Sequence, residues 1–350
     1  MASWLLLSAA AGLSFVLTGV LRRYARARNL LDIPNARSSH RVPTPRGGGL
    51  AIVASFLLAV PWLAAAGLVR WSLVWALLGA GVGSALIGFL DDHRHVAARW
   101  RLLGHFAVAA WATLWLGGLP PLTAFGHVLE LSGFGHALAV VYLVWMLNLY
   151  NFMDGIDGIA GVEAMCVCLS AAMVLALSLP GAGGAWPPLL LACAVAGFLF
   201  WNFPLARIFM GYVGSGFLGL MLGILSLQAA WAAPQLLWSW VILLGVFVVD
   251  ATFTLLRRLL RGDKCYEAHR DHAYQHAARR FGRHWPVTLA VAAIDLCWLL
   301  PIALWVALGR IDGAVGLGIA YAPLAVLAVG LRAGLPDGPG GCNPGRALKP

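Results

Sequence analysis

The chain has 350 residues, of which 61% are hydrophobic and only 11% charged, with a formal net charge of +10. A mean hydropathy of +0.82 excludes an ordinary soluble domain, and apolar runs that are continuous rather than alternating exclude a membrane β-barrel. In this setting the positive charge speaks for basic loops beside a membrane and against a nucleic-acid partner.

Eleven apolar runs are expected to span as helices: 3–20, 48–68, 71–90, 102–118, 136–149, 159–179, 188–203, 216–232, 234–256, 287–308 and 314–331. The first of them, within Met1 to Val20, competes with a signal-like segment. The fold class expected is all-α and polytopic. Residues 1–332 form one transmembrane catalytic domain, and 333–350 a short Gly/Pro-rich tail. The six cysteines make no Cys-x-x-Cys pair, and four of them lie in apolar runs as small core residues.

An odd number of spans puts the termini on opposite sides. Of the 24 Lys and Arg, only Arg70 and Arg310 then fall apart from the rest. The positive-inside rule makes the basic side cytoplasmic, with the N-terminus outside and the C-terminus inside. Every polar-rich stretch lands on that face: Asp32–Gly49, Asp91–Arg101, Asn148–Asp157, Pro204–Gly216 and Arg257–Pro286. A transporter would spread polar groups near the bilayer midplane, in repeated halves. Polar groups gathered at one face point to an enzyme working at the membrane surface.

Five stretches carry candidate chemistry. In NLYNFMDGIDGIA (Asn148 to Ala160), Asp154 and Asp157 stand between two apolar runs with Asn148 and Asn151 just upstream. Acids placed there are costly and mark function, a capped polar turn being the plain alternative. Asp91 and Asp92 end the third run; paired acids suit a divalent cation or general-base work, and they oppose the dipole of a helix C-terminus. Arg37, Arg41 and Arg46 precede a Gly triplet, Gly47–Gly49, which reads either as a phosphate-binding helix start or as a basic membrane anchor. Phe209 to Gly216 is a second Gly-rich helix start, fit for phosphate or merely for close helix packing. His269, His272 and His276 would share a helix face, with Arg270 among them. That pattern suits phosphate recognition or proton transfer better than zinc, with a surface amphipathic helix as the alternative.

Taken together, DIPNARSSHRVPTPRGGG, GFLDD, NLYNFMDGIDGIAG, FMGYVGSGFLG and HRDHAYQH resemble the polyprenyl-phosphate N-acetylhexosamine-1-phosphate transferases. These form the superfamily of the translocase MraY and of WecA and WbpL, and the likeness is to the WecA/WbpL branch. The resemblance implies attack by undecaprenyl phosphate on the β-phosphorus of a UDP-N-acetylhexosamine, with UMP leaving. It implies Mg2+, with Mn2+ as a substitute, at the cytoplasmic face of a bacterial inner membrane. Asp91 and Asp92 match the acidic pair that deprotonates or orients the lipid phosphate. Asn151, Asp154 and Asp157 match the motif facing nucleotide and metal, with Asn151 and Asp154 as metal ligands. Arg46, Asn148, His269, Arg270, His272 and His276 fall to substrate binding. An oligomer is compatible with all of this.

One position departs from the pattern. The family has MGDxGS, with Asp a principal metal ligand, where this chain has Tyr212. A neutral phenol is a poor Mg2+ ligand. Either the activity is weakened or lost, or Asp154 or Asp157 takes over the metal, or the residue is a recent single change.

Overall fold

Apolar runs of this length can satisfy their backbone groups inside a bilayer only as helices. The computed structural model is helical accordingly, and it describes residues 2–34, 42–94, 96–263 and 269–336. The helices are α1 (Ala2–Ala27), α2 (Gly49–Ala65), α3 (Trp71–His93), α4 (Ala98–Leu116), α5 (Ser132–Met153), α6 (Ile159–Ser178) and α7 (Trp186–Asn202). They continue with α8 (Tyr212–Ala232), α9 (Gln235–Leu243), α10 (Gly245–Leu260), α11 (Ala273–Phe281), α12 (Trp285–Ile294), α13 (Leu300–Ala307) and α14 (Gly313–Gly330). A π-helical turn, Asp295–Leu299, joins α12 to α13. Two short antiparallel pairs complete the fold: β1 (Leu31–Asp32) with β2 (Thr44–Pro45), and β3 (Leu122–Ala124) with β4 (His127–Leu129).

Each expected run overlaps helix. By length and composition, 7 helices suffice to cross a membrane, or 8 when α9 and α10 count as one. The remaining runs fall short for physical reasons. The helices α2 and α7 hold 17 residues each, and α4 carries Arg99 and Arg101 in its first turn. The ninth run, expected as one span, is broken at Leu244 and bent by 74°. Gly245, a poor helix former, stands at the break.

The hub is α8, of whose apolar window 94% is buried. It packs on α2, α3, α5 and α9. Lipid tails are as apolar as leucine, so such helices are held by close packing and small residues let them approach. A Cβ on Gly49 would lie 2.3 Å from the Cα of Gly214, and one on Gly88 would lie 2.6 Å from the Cα of Val213. Three helices thus meet backbone to backbone at the end of the bundle that carries the acids.

Candidate active site

The start of α8 is where the acidic residues converge. Asp92, at the end of α3, accepts hydrogen bonds from the amides of Tyr212 and Val213, each 3.2 Å away. The same carboxylate pairs with Arg46 at 2.9 Å. Asp92 therefore caps a helix from outside it, because Gly211 at the cap position has no side chain to do so. The expectation of a phosphate at this helix start is corrected in one respect: its first two amides already hold a carboxylate. The Gly triplet is corrected likewise. The amides of Gly48 and Gly49 donate to the carbonyls of Phe209 and Met210, both at 2.9 Å, so these two amides serve the packing of α2 on the segment before α8, which neither expected reading of the triplet included. Arg37 and Arg41 lie outside the described residues.

The adjacent acid turns elsewhere. Asp91 pairs with Arg101 at 2.9 Å, and the Arg101 guanidinium lies 5.4 Å from the centre of the Tyr212 ring. The Tyr212 hydroxyl is 2.6 Å from Nε2 of His105, a buried residue of α4. Asn148 fixes the tautomer. Its amide nitrogen donates to the carbonyl of Val144 at 2.7 Å and faces Nδ1 of His105 at 3.2 Å. Nδ1 is then the acceptor, and Nε2 donates to the Tyr212 oxygen. So Asn148 orients His105, and Tyr212, 4% exposed, is built into a satisfied network.

Between the ends of α5 and α8 lies a cavity of about 200 Å³. Arg46, Asn151, Asp154, Asp157 and Tyr212 all line it, so five sequence-predicted positions converge there. Asn151, on the last turn of α5, accepts a hydrogen bond from the Ser215 hydroxyl at 3.2 Å. Asp157 lies 3.3 Å from Nδ1 of His284, and its carbonyl accepts from the Thr288 hydroxyl at 3.0 Å. Asp154 differs from both. Its carboxylate makes no hydrogen bond or ion pair among the described residues. Burial pushes it up to about 7, with Arg46 pulling down and Asp92 and Asp157 pushing up.

A desolvated carboxylate without a donor, next to other acids, suits a divalent cation. Among the described residues no three His, Cys, Asp or Glu side chains converge on a metal position. Mg2+ needs fewer, since it keeps waters and substrate oxygens. Asp154 and the Asn151 side-chain carbonyl therefore fit that ion, Tyr212 being committed to His105.

The histidine stretch is arranged differently from expectation. The helix α11 begins only at Ala273, so His269 and His272 precede it and the three rings share no helical face. His272 is buried and 3.3 Å from Asp250, and it stacks on His269 with ring centres 4.9 Å apart. His276 turns to the carbonyl of Leu335 at 3.1 Å, and the Arg270 carbonyl accepts from Arg279 at 3.0 Å. What reaches the cavity from this segment is Gln275. Beside it, the Tyr274 hydroxyl donates to the carbonyl of Phe152 at 3.0 Å.

Sequence reasoning missed Asp250, His105, His284 and Gln275. Asp250 had a legible signal, a single acid inside the ninth apolar run. It caps α11 through the amides of Ala273 and Tyr274, at 2.9 and 3.0 Å. His284 stands just before a Trp-Pro helix start, which signals a helix boundary but no partner.

An apolar helical bundle with an acid-lined cavity at one end defines a membrane enzyme, and its class follows from comparison. The glycosyl transferase family 4 pattern matches residues 74–230, from α3 through α8. A probable undecaprenyl-phosphate N-acetylglucosaminyl 1-phosphate transferase of Bacillus subtilis is 31% identical over 76% of this chain and 74% of its own length. A decaprenyl-phosphate N-acetylglucosaminephosphotransferase of Mycolicibacterium smegmatis is 31% identical over 94% of this chain and 88% of its own. An undecaprenyl-phosphate alpha-N-acetylglucosaminyl 1-phosphate transferase of Thermotoga maritima is 26% identical over 82% and 86%. The chain belongs to the polyprenyl-phosphate N-acetylhexosamine-1-phosphate transferase family.

Proposed function

We propose that the protein transfers an N-acetylhexosamine-1-phosphate from a UDP-sugar to undecaprenyl phosphate. It does so at the cytoplasmic face of a bacterial inner membrane, with eleven spans, the N-terminus outside and the C-terminus inside. A lipid-phosphate oxygen attacks the β-phosphorus, the bond from that phosphorus to the oxygen of UMP breaks, and UMP departs. The product opens an O-antigen or other cell-envelope glycan. The observation that carries this reading is the Asp154 carboxylate, which makes no hydrogen bond or ion pair among the described residues, in a cavity where Arg46, Asn151, Asp157 and Tyr212 each make one.

Phosphoryl transfer asks a protein mainly for positioning and charge neutralisation. Arg46, with 44% of its side chain exposed, supplies positive charge at the cavity wall. Asp154 and Asn151 would hold Mg2+, which when bound neutralises charge on the diphosphate. His284 and Thr288 keep Asp157 in place. Gln275, also lining the cavity, offers an amide beside Gly155.

A second reading is supported by one feature. Tyr212 hydrogen-bonds to His105 where the family pattern has a metal-binding Asp, which favours a weakened or silent homologue. One experiment separates the two. The purified protein is given undecaprenyl phosphate, Mg2+ and each of UDP-GlcNAc, UDP-FucNAc and UDP-QuiNAc in turn, and UMP is measured. Release with any donor supports transfer and names the sugar. No release with any of them, while a bacterial relative turns over in parallel, sinks the transferase reading.

A further inference from the structure

A second cavity, larger than the one that holds the acids, lies among the described residues. Its volume is about 490 Å³, and it opens at the other end of the bundle. The start of α8 lines the acidic cavity, and Leu225, Gln228 and Ala232 near its end line this one. Tyr212 lines one cavity and Gln228 the other, which places the two roughly 24 Å apart along the helix, most of a membrane core. The walls here are apolar, from Leu175 and Leu179 at the end of α6 and Leu225 of α8.

Four polar side chains line it: Arg70, Gln228, Trp231 and Trp240. The indole N–H of Trp231 donates to the carbonyl of Gly118 at 3.1 Å, and that of Trp240, closed off from solvent, has no partner among the described residues. The Gln228 amide makes no hydrogen bond among the described residues, and the Arg70 guanidinium makes neither an ion pair nor a hydrogen bond there. No described lining residue is acidic. Arg70 is also one of only two basic residues outside the basic loops, and it stands at the mouth of this cavity.

We propose that this cavity binds one anionic phospholipid from the leaflet opposite the acidic site. The lipid phosphate pairs with Arg70, its polar oxygens accept from the Gln228 amide, and part of a chain fills the apolar wall. Charge complementarity selects an anion, and the apolar lining selects one that carries a hydrocarbon chain. The volume is that of an ordinary ligand pocket.

The test uses the full-length protein in nanodiscs that mix phosphatidylglycerol with phosphatidylcholine. Lipid retained on the released protein is counted by native mass spectrometry. Wild type is expected to keep one phosphatidylglycerol in preference to phosphatidylcholine, and excess inorganic phosphate leaves it in place. Arg70→Gln removes the charge-assisted contact and lowers retention by about tenfold. Ala182→Trp, at an exposed lining position, fills the space and lowers retention while Arg70 is intact. Equal retention in wild type and both variants overturns the proposal, as does indifference between the two lipids. Displacement by inorganic phosphate overturns it too, because the ligand would then be a free anion. None of these readouts involves the transfer reaction, so they stand whatever the UMP assay shows.

Discussion

Two helix starts in this protein are capped in the same way and serve different ends. Asp92 from α3 caps α8, and Asp250 from α10 caps α11, each through two backbone amides. Their remaining partners differ. Asp250 is closed in by Thr254 and His272, all buried. Asp92 is held by Arg46, which is half-exposed and faces the cavity. The α11 cap is therefore a structural joint that holds Tyr274 and Gln275 over the site. The α8 cap borders the cavity proposed for the reaction, and its guanidinium lines that cavity while paired with Asp92. Capping geometry alone does not separate scaffold from site; the exposure of the third partner does.

The largest effect tests the buried joint. Asp250→Ala leaves two amides and a histidine unpaired and is expected to cost roughly 3–5 kcal/mol, seen as a large drop in thermal unfolding temperature in detergent. Asp92→Ala should cost less, about 1–3 kcal/mol, because water can reach Arg46 once its partner is gone. Equal losses in the same unfolding assay would break the comparison. Next in size is Tyr212→Asp, which restores a carboxylate beside Asp154. The magnesium concentration for half-maximal UMP release should fall about tenfold, equivalent to about 1.4 kcal/mol, with higher turnover. Identical magnesium titrations for the two forms would show that Tyr212 does not limit the metal.

The smallest effect per step is a pH slope. The Asp154 carboxyl is raised from 3.8 to about 7, so between those values the folded chain keeps a proton that the unfolded chain has released. Stability of the metal-free protein then falls as pH rises through that window. The slope is at most about 1.4 kcal/mol per pH unit, less after solvent screening. Unfolding temperatures in EDTA should show the fall, and Asp154→Asn should flatten it. If the variant keeps the slope, another group is responsible.

Much of the helical layout was legible, because runs of apolar residues near 20 long have few other solutions in a bilayer. The acids of the cavity were legible for the converse reason: in so apolar a chain Asp154 and Asp157 had to be accounted for. What stayed hidden depends on which helix end meets which. Gly48 and Gly49 read equally as part of an anion site or of a basic membrane anchor until the carbonyls of Phe209 and Met210 are seen to take their amides. The three histidines have helical spacing, but the helix starts after two of them, since Asp250 and Gln275 fix its first turn at His272. His105 gave no local signal, and only the fold brings it to Tyr212.

The contact among α2, α3 and α8 leaves no side chain between backbones to absorb a displacement. Those three helix ends must therefore shift as one rigid body, carrying Asp92 and Tyr212 with them. Hydrogen–deuterium exchange should report it as a single cooperative opening shared by the amides of 48–50 and 213–216, slower than exchange at the bend near Leu244.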